Sequence, residues 1–134
     1  MIYHIVIESD FHSHFDGDFY YPPSLTEQGF VHCALQPSVI PVANDFFTKT
    51  TEKLLVLEID SQELYSEVRY EPAEPAAGGG TTHLDSASEF PHVYGRINRS
   101  AITGIGVLQK SADGYEWPTE LEPFEKSLFS DFGV

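Results

Sequence analysis

Apolar positions recur along this chain at two spacings, and each predicts a different kind of element. In residues 2–7 the alternating sets are Ile2, His4 and Val6 against Tyr3, Ile5 and Ile7. Both sets are apolar apart from one histidine. An edge strand would carry one polar set, so this segment predicts a central strand covered on both faces. Residues 30–35 and Leu54-Leu55-Val56-Leu57-Glu58-Ile59 predict two further strands, and Glu67-Val68-Arg69-Tyr70-Glu71 another. Residues 90–97 and 102–109 predict the last two, joined at Asn98-Arg99-Ser100. Between the second and third runs the spacing changes. Val39, Ile40, Ala43, Phe46 and Phe47 follow helical intervals behind Pro37-Ser38, which predicts a helix through about Phe47 with one face on the sheet.

The breaks between these runs carry their own signals. Ser9 or Asp10 is placed to cap a short helix near residues 10–16, ended by Gly17. Pro22-Pro23 removes two ladder donors, and Ser24 with Glu27 reads as a capping box for one helical turn closed by Gly29. Residues 72–88 hold Pro72, Pro75 and Gly78-Gly79-Gly80 and predict a long loop. The acidic tail carries Trp117, with a short helix expected near 119–129. The pattern is α+β: a single domain with a curved or split, mostly antiparallel sheet and few helices. Residues 1–110 form the domain, and residues 111–134 an acidic extension packed on it.

Composition narrows the partners. Lys and Arg total 7 against 21 Asp and Glu, a formal net charge of −14 over 134 residues. That field repels nucleic-acid phosphates and anionic membranes, so neither is an expected partner. No apolar stretch approaches the roughly 20 residues of a membrane span, and no basic leader opens the chain, so a cytoplasmic protein is expected. The single cysteine, Cys33, excludes an internal disulfide and a multi-cysteine zinc site. It alternates out of phase with His32, which puts the two on opposite faces of their strand and argues against a Cys–His nucleophile pair.

The candidate chemistry lies in three histidines, each central to an apolar run: His4 in Ile2-Tyr3-His4-Ile5-Val6, His32 in Gly29-Phe30-Val31-His32-Cys33-Ala34, and His92 in Phe90-Pro91-His92-Val93-Tyr94-Gly95. Imidazole nitrogens need partners once buried, so three such positions predict one pocket where neighbouring strands bring the rings together. Glu71 or Glu89 is the carboxylate that could join them, Glu89 only if Pro91 causes a bulge. Glu89 is three residues from His92, which turns it to the other face of a regular strand. Ser24, Tyr94 and Arg69 are candidate ligand contacts: a hydroxyl from the loop, an aromatic in phase with His92, and one of few cations. His12, His14 and His83 read as surface residues. Three readings follow. The pocket binds a nucleotide-ribose compound and acts at its N-glycosidic carbon; or its three imidazoles hold a zinc ion with a water; or it is a non-catalytic module for a small polar ligand or a basic protein.

These motifs, together with Tyr21-Pro22-Pro23-Ser24-Leu25, Val42-Ala43-Asn44-Asp45-Phe46-Phe47 and Val68-Arg69-Tyr70-Glu71, resemble a small bacterial family known as domain-of-unknown-function family 952. The resemblance runs from residue 2 to about 108. Ala34 stands where the pattern has Ser. More distantly, the segment order is similar to the ADP-ribosyltransferase fold. That resemblance implies NAD as cofactor or substrate, His4 on a ribose hydroxyl, and His32 at the position of an aromatic that stacks on nicotinamide. It also implies a carboxylate, Glu89 or Glu71, stabilising an oxocarbenium ion.

Overall fold

A computed structural model of the chain describes residues 1–72 and 89–124. The first strand, β1 (Ile2–Ile7), leads directly into helix α1 (Glu8–His14). Strand β2 (Phe19–Tyr20), the single-turn helix α2 (Ser24–Glu27) and strand β3 (Val31–His32) follow. Then come helix α3 (Gln36–Phe46) and strands β4 (Leu54–Ile59) and β5 (Glu67–Pro72). Beyond residue 88 the chain forms β6 (Glu89–Tyr94), β7 (Ile97–Asn98), β8 (Ile102–Val107), β9 (Gln109–Ser111), β10 (Gly114–Glu116) and β11 (Glu122–Pro123). Every pairing is antiparallel.

The sheet is split, as the pattern predicted. One sheet has the order β1-β4-β8-β11 and another the order β3-β6-β5, while β2-β7 and β9-β10 are two-stranded ribbons. The two apolar sets of β1 are buried in different layers. Ile2 and Val6 join Leu55, Leu57, Val31, Val93, Phe11 and Phe124 in one core. Tyr3 packs with Val39, Ala43, Leu54, Val56 and Phe90 in a second core beneath α3. A strand with a core on each side has no polar face, which explains the sequence of β1.

Several predicted boundaries need correction. The expected strand over 30–35 forms a ladder at Val31 and His32 alone. Pro91 is the cause. It stands opposite Cys33, whose N–H reaches the Pro91 carbonyl at 3.0 Å. Having no N–H, Pro91 returns nothing, and the ladder ends. The chain passes instead to β1, where Tyr3 and Ala34 exchange both backbone bonds at 2.8 and 2.7 Å.

Neither expected cap is made. Helix α1 begins at Glu8, before Ser9 and Asp10, and α2 begins at Ser24 itself, with no side-chain cap on either. The run expected over 90–97 is broken at Gly95, where a Cβ would lie 2.4 Å from the Ser66 hydroxyl oxygen. Over the described part of the helix expected near 119–129, the chain forms strand at Glu122–Pro123, paired to β8, with Phe124 buried in the core. Gly104 and Gly106 on β8 make room for this: a Cβ on Gly106 would meet Leu121 at 2.8 Å and Pro118 at 2.9 Å. The predicted loop, from residue 73 to 88, and the tail beyond 124 lie outside the described residues.

Candidate functional site

The three strand histidines separate into two environments. In β3 the Val31 and Cys33 side chains enter the core, so Phe30 and His32 face the other way. In β6 the same alternation sends Val93 inward and His92 outward, and His32 and His92 stand directly opposite each other in register. Their rings meet edge to face with centroids 5.6 Å apart. Phe30 stacks on His92 at 4.1 Å and touches Tyr94 at 5.3 Å. Among the described residues, the site is therefore one face of the β3-β6-β5 sheet.

Strand β5 supplies the charges. Arg69 lies opposite His92, and Glu71 opposite Phe90. One carboxylate oxygen of Glu71 accepts from His92 Nδ1 at 2.8 Å and from the Tyr94 hydroxyl at 2.5 Å. Two donors on one oxygen favour the ionised carboxyl, so its pKa is lowered, first by Tyr94 and then by His92. The Tyr94 phenol is raised by the same bond. With its Nδ1 proton given to Glu71, a neutral His92 keeps its lone pair on Nε2, the arrangement that orients an imidazole for proton transfer. Arg69 lies over the Tyr94 ring at 4.4 Å and pairs with Glu67 at 3.1 Å. His92 is buried, Glu71 half-buried, and His32 and Arg69 open to solvent.

His4 does not belong to this face. It shares a side of β1 with Ile2 and Val6 and points into the core. Its Nδ1 donates to the His32 carbonyl at 2.6 Å, and its Nε2 accepts from the Tyr20 hydroxyl at 2.8 Å. Burial pushes the His4 imidazole down to about 4 and raises the Tyr20 phenol well above its ordinary value. Both nitrogens are spent on neutral partners. The single three-imidazole pocket is thus corrected to a pair, His32 and His92, with His4 behind them. The three-histidine metal site falls with it, because His4 has no lone pair to give. Among the described residues, no group of three His, Cys, Asp or Glu side chains is arranged to hold a metal ion.

The remaining expectations divide. Cys33 is buried on the face opposite His32, its thiol raised by burial. Glu89 stands in register with Pro72 on the face away from His92. Ser24 opens α2 and takes part through its carbonyl, which accepts from Gln28 and Gly29. His14 is bonded to the Asp10 carbonyl on the surface, while His12 is half-buried, and His83 lies outside the described residues. The pattern missed three participants: Phe30, Gln28, whose side-chain oxygen bonds His32 Nε2, and Tyr20. Phe30 was legible as the residue two before His32 in the same phase. Gln28 follows the short α2 helix, and nothing in its local sequence marks it.

An α+β domain whose split antiparallel sheet carries a carboxylate–histidine pair on one face is the class that fold and site define. Residues 5–105 match the family model described as a protein of unknown function (DUF952), which covers most of the chain, and the chain belongs to that family. Its fold is similar to the crystal structure of protein CC0527 from Caulobacter crescentus, with a TM-score of 0.64. The likeness spans 99% of this chain and 98% of that one at 19% identity. A double mutant of the same Caulobacter protein gives the same values. No curated protein matches the chain. Among the described residues, no helix is long and apolar enough to cross a membrane.

Proposed function

We propose that the face formed by His32, His92, Tyr94 and Glu71 binds a small nucleotide-ribose compound of the NAD type and acts at its N-glycosidic carbon. The observation that carries this reading is the bonding of Glu71. Both donors converge on one carboxylate oxygen, and among the described residues the second oxygen has no donor and is open to a ligand. A fixed, ionised carboxylate is the group that stabilises positive charge developing at an anomeric carbon. His92, held by the same carboxylate, handles the proton through Nε2. His32 and Tyr94 offer ring surface to a flat base, and Arg69 offers the site's cation to a phosphate. The more distant resemblance to ADP-ribosyltransferases supports the same ligand class, with Glu71 in place of Glu89. A non-catalytic module would bind through the same rings without turnover.

The test is a titration of NAD and ADP-ribose into the protein, followed by the imidazole proton signals of His32 and His92. Both signals should move saturably with NAD, the His4 signal should move less, and Glu71→Gln should abolish NAD cleavage while retaining binding. Silence of both site histidines at millimolar ligand would overturn the reading. Binding without cleavage would convert it to a binding module.

A further inference from the structure

We infer that His4 is a positioning residue for this face: its imidazole donates to the outward-turned His32 carbonyl and fixes the His32 backbone, and with it the pairing of the His32 and His92 rings. The inference concerns the face assigned above and rests on that reading for its ligand arm.

Cys33 N–H reaches the Pro91 carbonyl, which places His32 and His92 in a non-hydrogen-bonded antiparallel pair. Such pairs hold their Cα atoms about 4.5 Å apart, closer than hydrogen-bonded ones, and bring their side chains together. They also turn the N–H and C=O of both residues away from each other. The His32 carbonyl therefore points away from β6, and among the described residues β3 is the edge of its sheet, with no strand beside it to donate. This end of the strand is partly buried against His4, and a carbonyl left there without a donor is costly. His4 Nδ1 meets it at 2.6 Å.

The rest of the neighbourhood makes that single bond decisive. Pro91 ends the β3–β6 ladder one residue later, and Ala34 is already bonded to Tyr3. The His32 backbone is thus held by a short ladder on one side and by His4 on the other, while Gln28 and Phe30 meet its ring. The His32 carbonyl can only accept, so it selects the Nδ1–H tautomer of His4, and Tyr20 complements that choice. Its hydroxyl donates to Nε2, while the ring proton stays on Nδ1, where the His32 carbonyl needs it.

Two polar replacements separate this role from simple filling of the core. In His4→Asn the amide nitrogen falls near the position of Nδ1 and can still donate to the carbonyl. In His4→Gln the amide falls near Nε2, keeping Tyr20 and leaving the carbonyl without its donor. The readout is the pair of imidazole titration midpoints of His32 and His92, measured by proton NMR without ligand, followed by NAD binding. Asn at this position should preserve both midpoints. Gln should move them together and weaken NAD binding about tenfold, the loss of roughly one hydrogen bond. Midpoints unchanged in a folded Gln variant, or equally displaced in both variants, would overturn the inference. Because the midpoints are read without ligand, failure of NAD to bind any form would count against the proposed function alone.

Discussion

His4 and His92 are both buried histidines at the middle of β-strands, yet their partners give them opposite characters. His4 is held between a carbonyl and a phenol, two neutral groups, and burial then dominates its protonation over the opposing His32 carbonyl bond. His92 is held at Nδ1 by a carboxylate that also carries Tyr94, and among the described residues nothing bonds its Nε2. The first arrangement consumes the imidazole; the second prepares it. Burial of a histidine therefore says little about its role until the charge of its partners is known.

The comparison can be broken first from the core side. Leu57 is the register partner of His4 and is fully buried, so Leu57→Ala should cost about 2–5 kcal/mol in urea denaturation. If Leu57→Ala leaves the urea midpoint unchanged, His4 is not seated in a packed core.

A second effect follows from the titration of His4. Its folded value of about 4 lies below its ordinary 6.5, so between those values the unfolded chain binds more protons than the folded one. Stability is then complete above about pH 6.5 and declines by about 3 kcal/mol as pH falls to 4. Glu71, whose folded pKa is depressed, contributes in a lower window, losing its share only as pH falls from the ordinary carboxylate value through its folded one. Denaturation midpoints across pH 3–7 should show the upper decline in the native chain and lose it in His4→Asn. Persistence of that decline in the variant would assign it to another group.

Smaller effects sharpen the face. Glu71→Gln should return the Tyr94 phenol toward its ordinary value, seen as an earlier ultraviolet transition in alkaline titration. A phenol that titrates unchanged would mean that the Tyr94–Glu71 bond does not persist in solution. The least effect is expected of Arg69→Ala. That pair is exposed, so the unfolding midpoint should not move measurably, while the Glu67 carboxyl returns upward toward its ordinary range, as followed by carbon NMR.

Much of the scaffold was legible because its signals are periodic. Strand β1 and strand β4 have the bounds their alternation predicts, and α3 differs from its expected start by one residue. The phase of β3 separated Cys33 from His32, and the phase of β6 separated Glu89 from His92. What was not legible depends on contacts between elements. Pro91 was visible as a proline, yet its consequence requires knowing that β6 is central and that Cys33 stands opposite. The tail read as helix because nothing local reveals that Gly104 and Gly106 bare a strip of backbone for it. His4 was misplaced for a similar reason. Alternation gives two sides of β1, and only the packing of the second sheet shows which side leads to the open face.

The glycine strip on β8 bears on how the molecule avoids sticking to itself. By accepting Glu122–Pro123 as a short final strand, Gly104 and Ile105 place a proline and an acidic residue along what would otherwise be a bare sheet edge. A chain ending before Glu122 would uncover that edge together with the seat of Phe124, and light scattering should then report more association than for the full chain. The two missing methyl groups of Gly104 and Gly106 thus protect the sheet by letting the chain's own tail occupy the edge first.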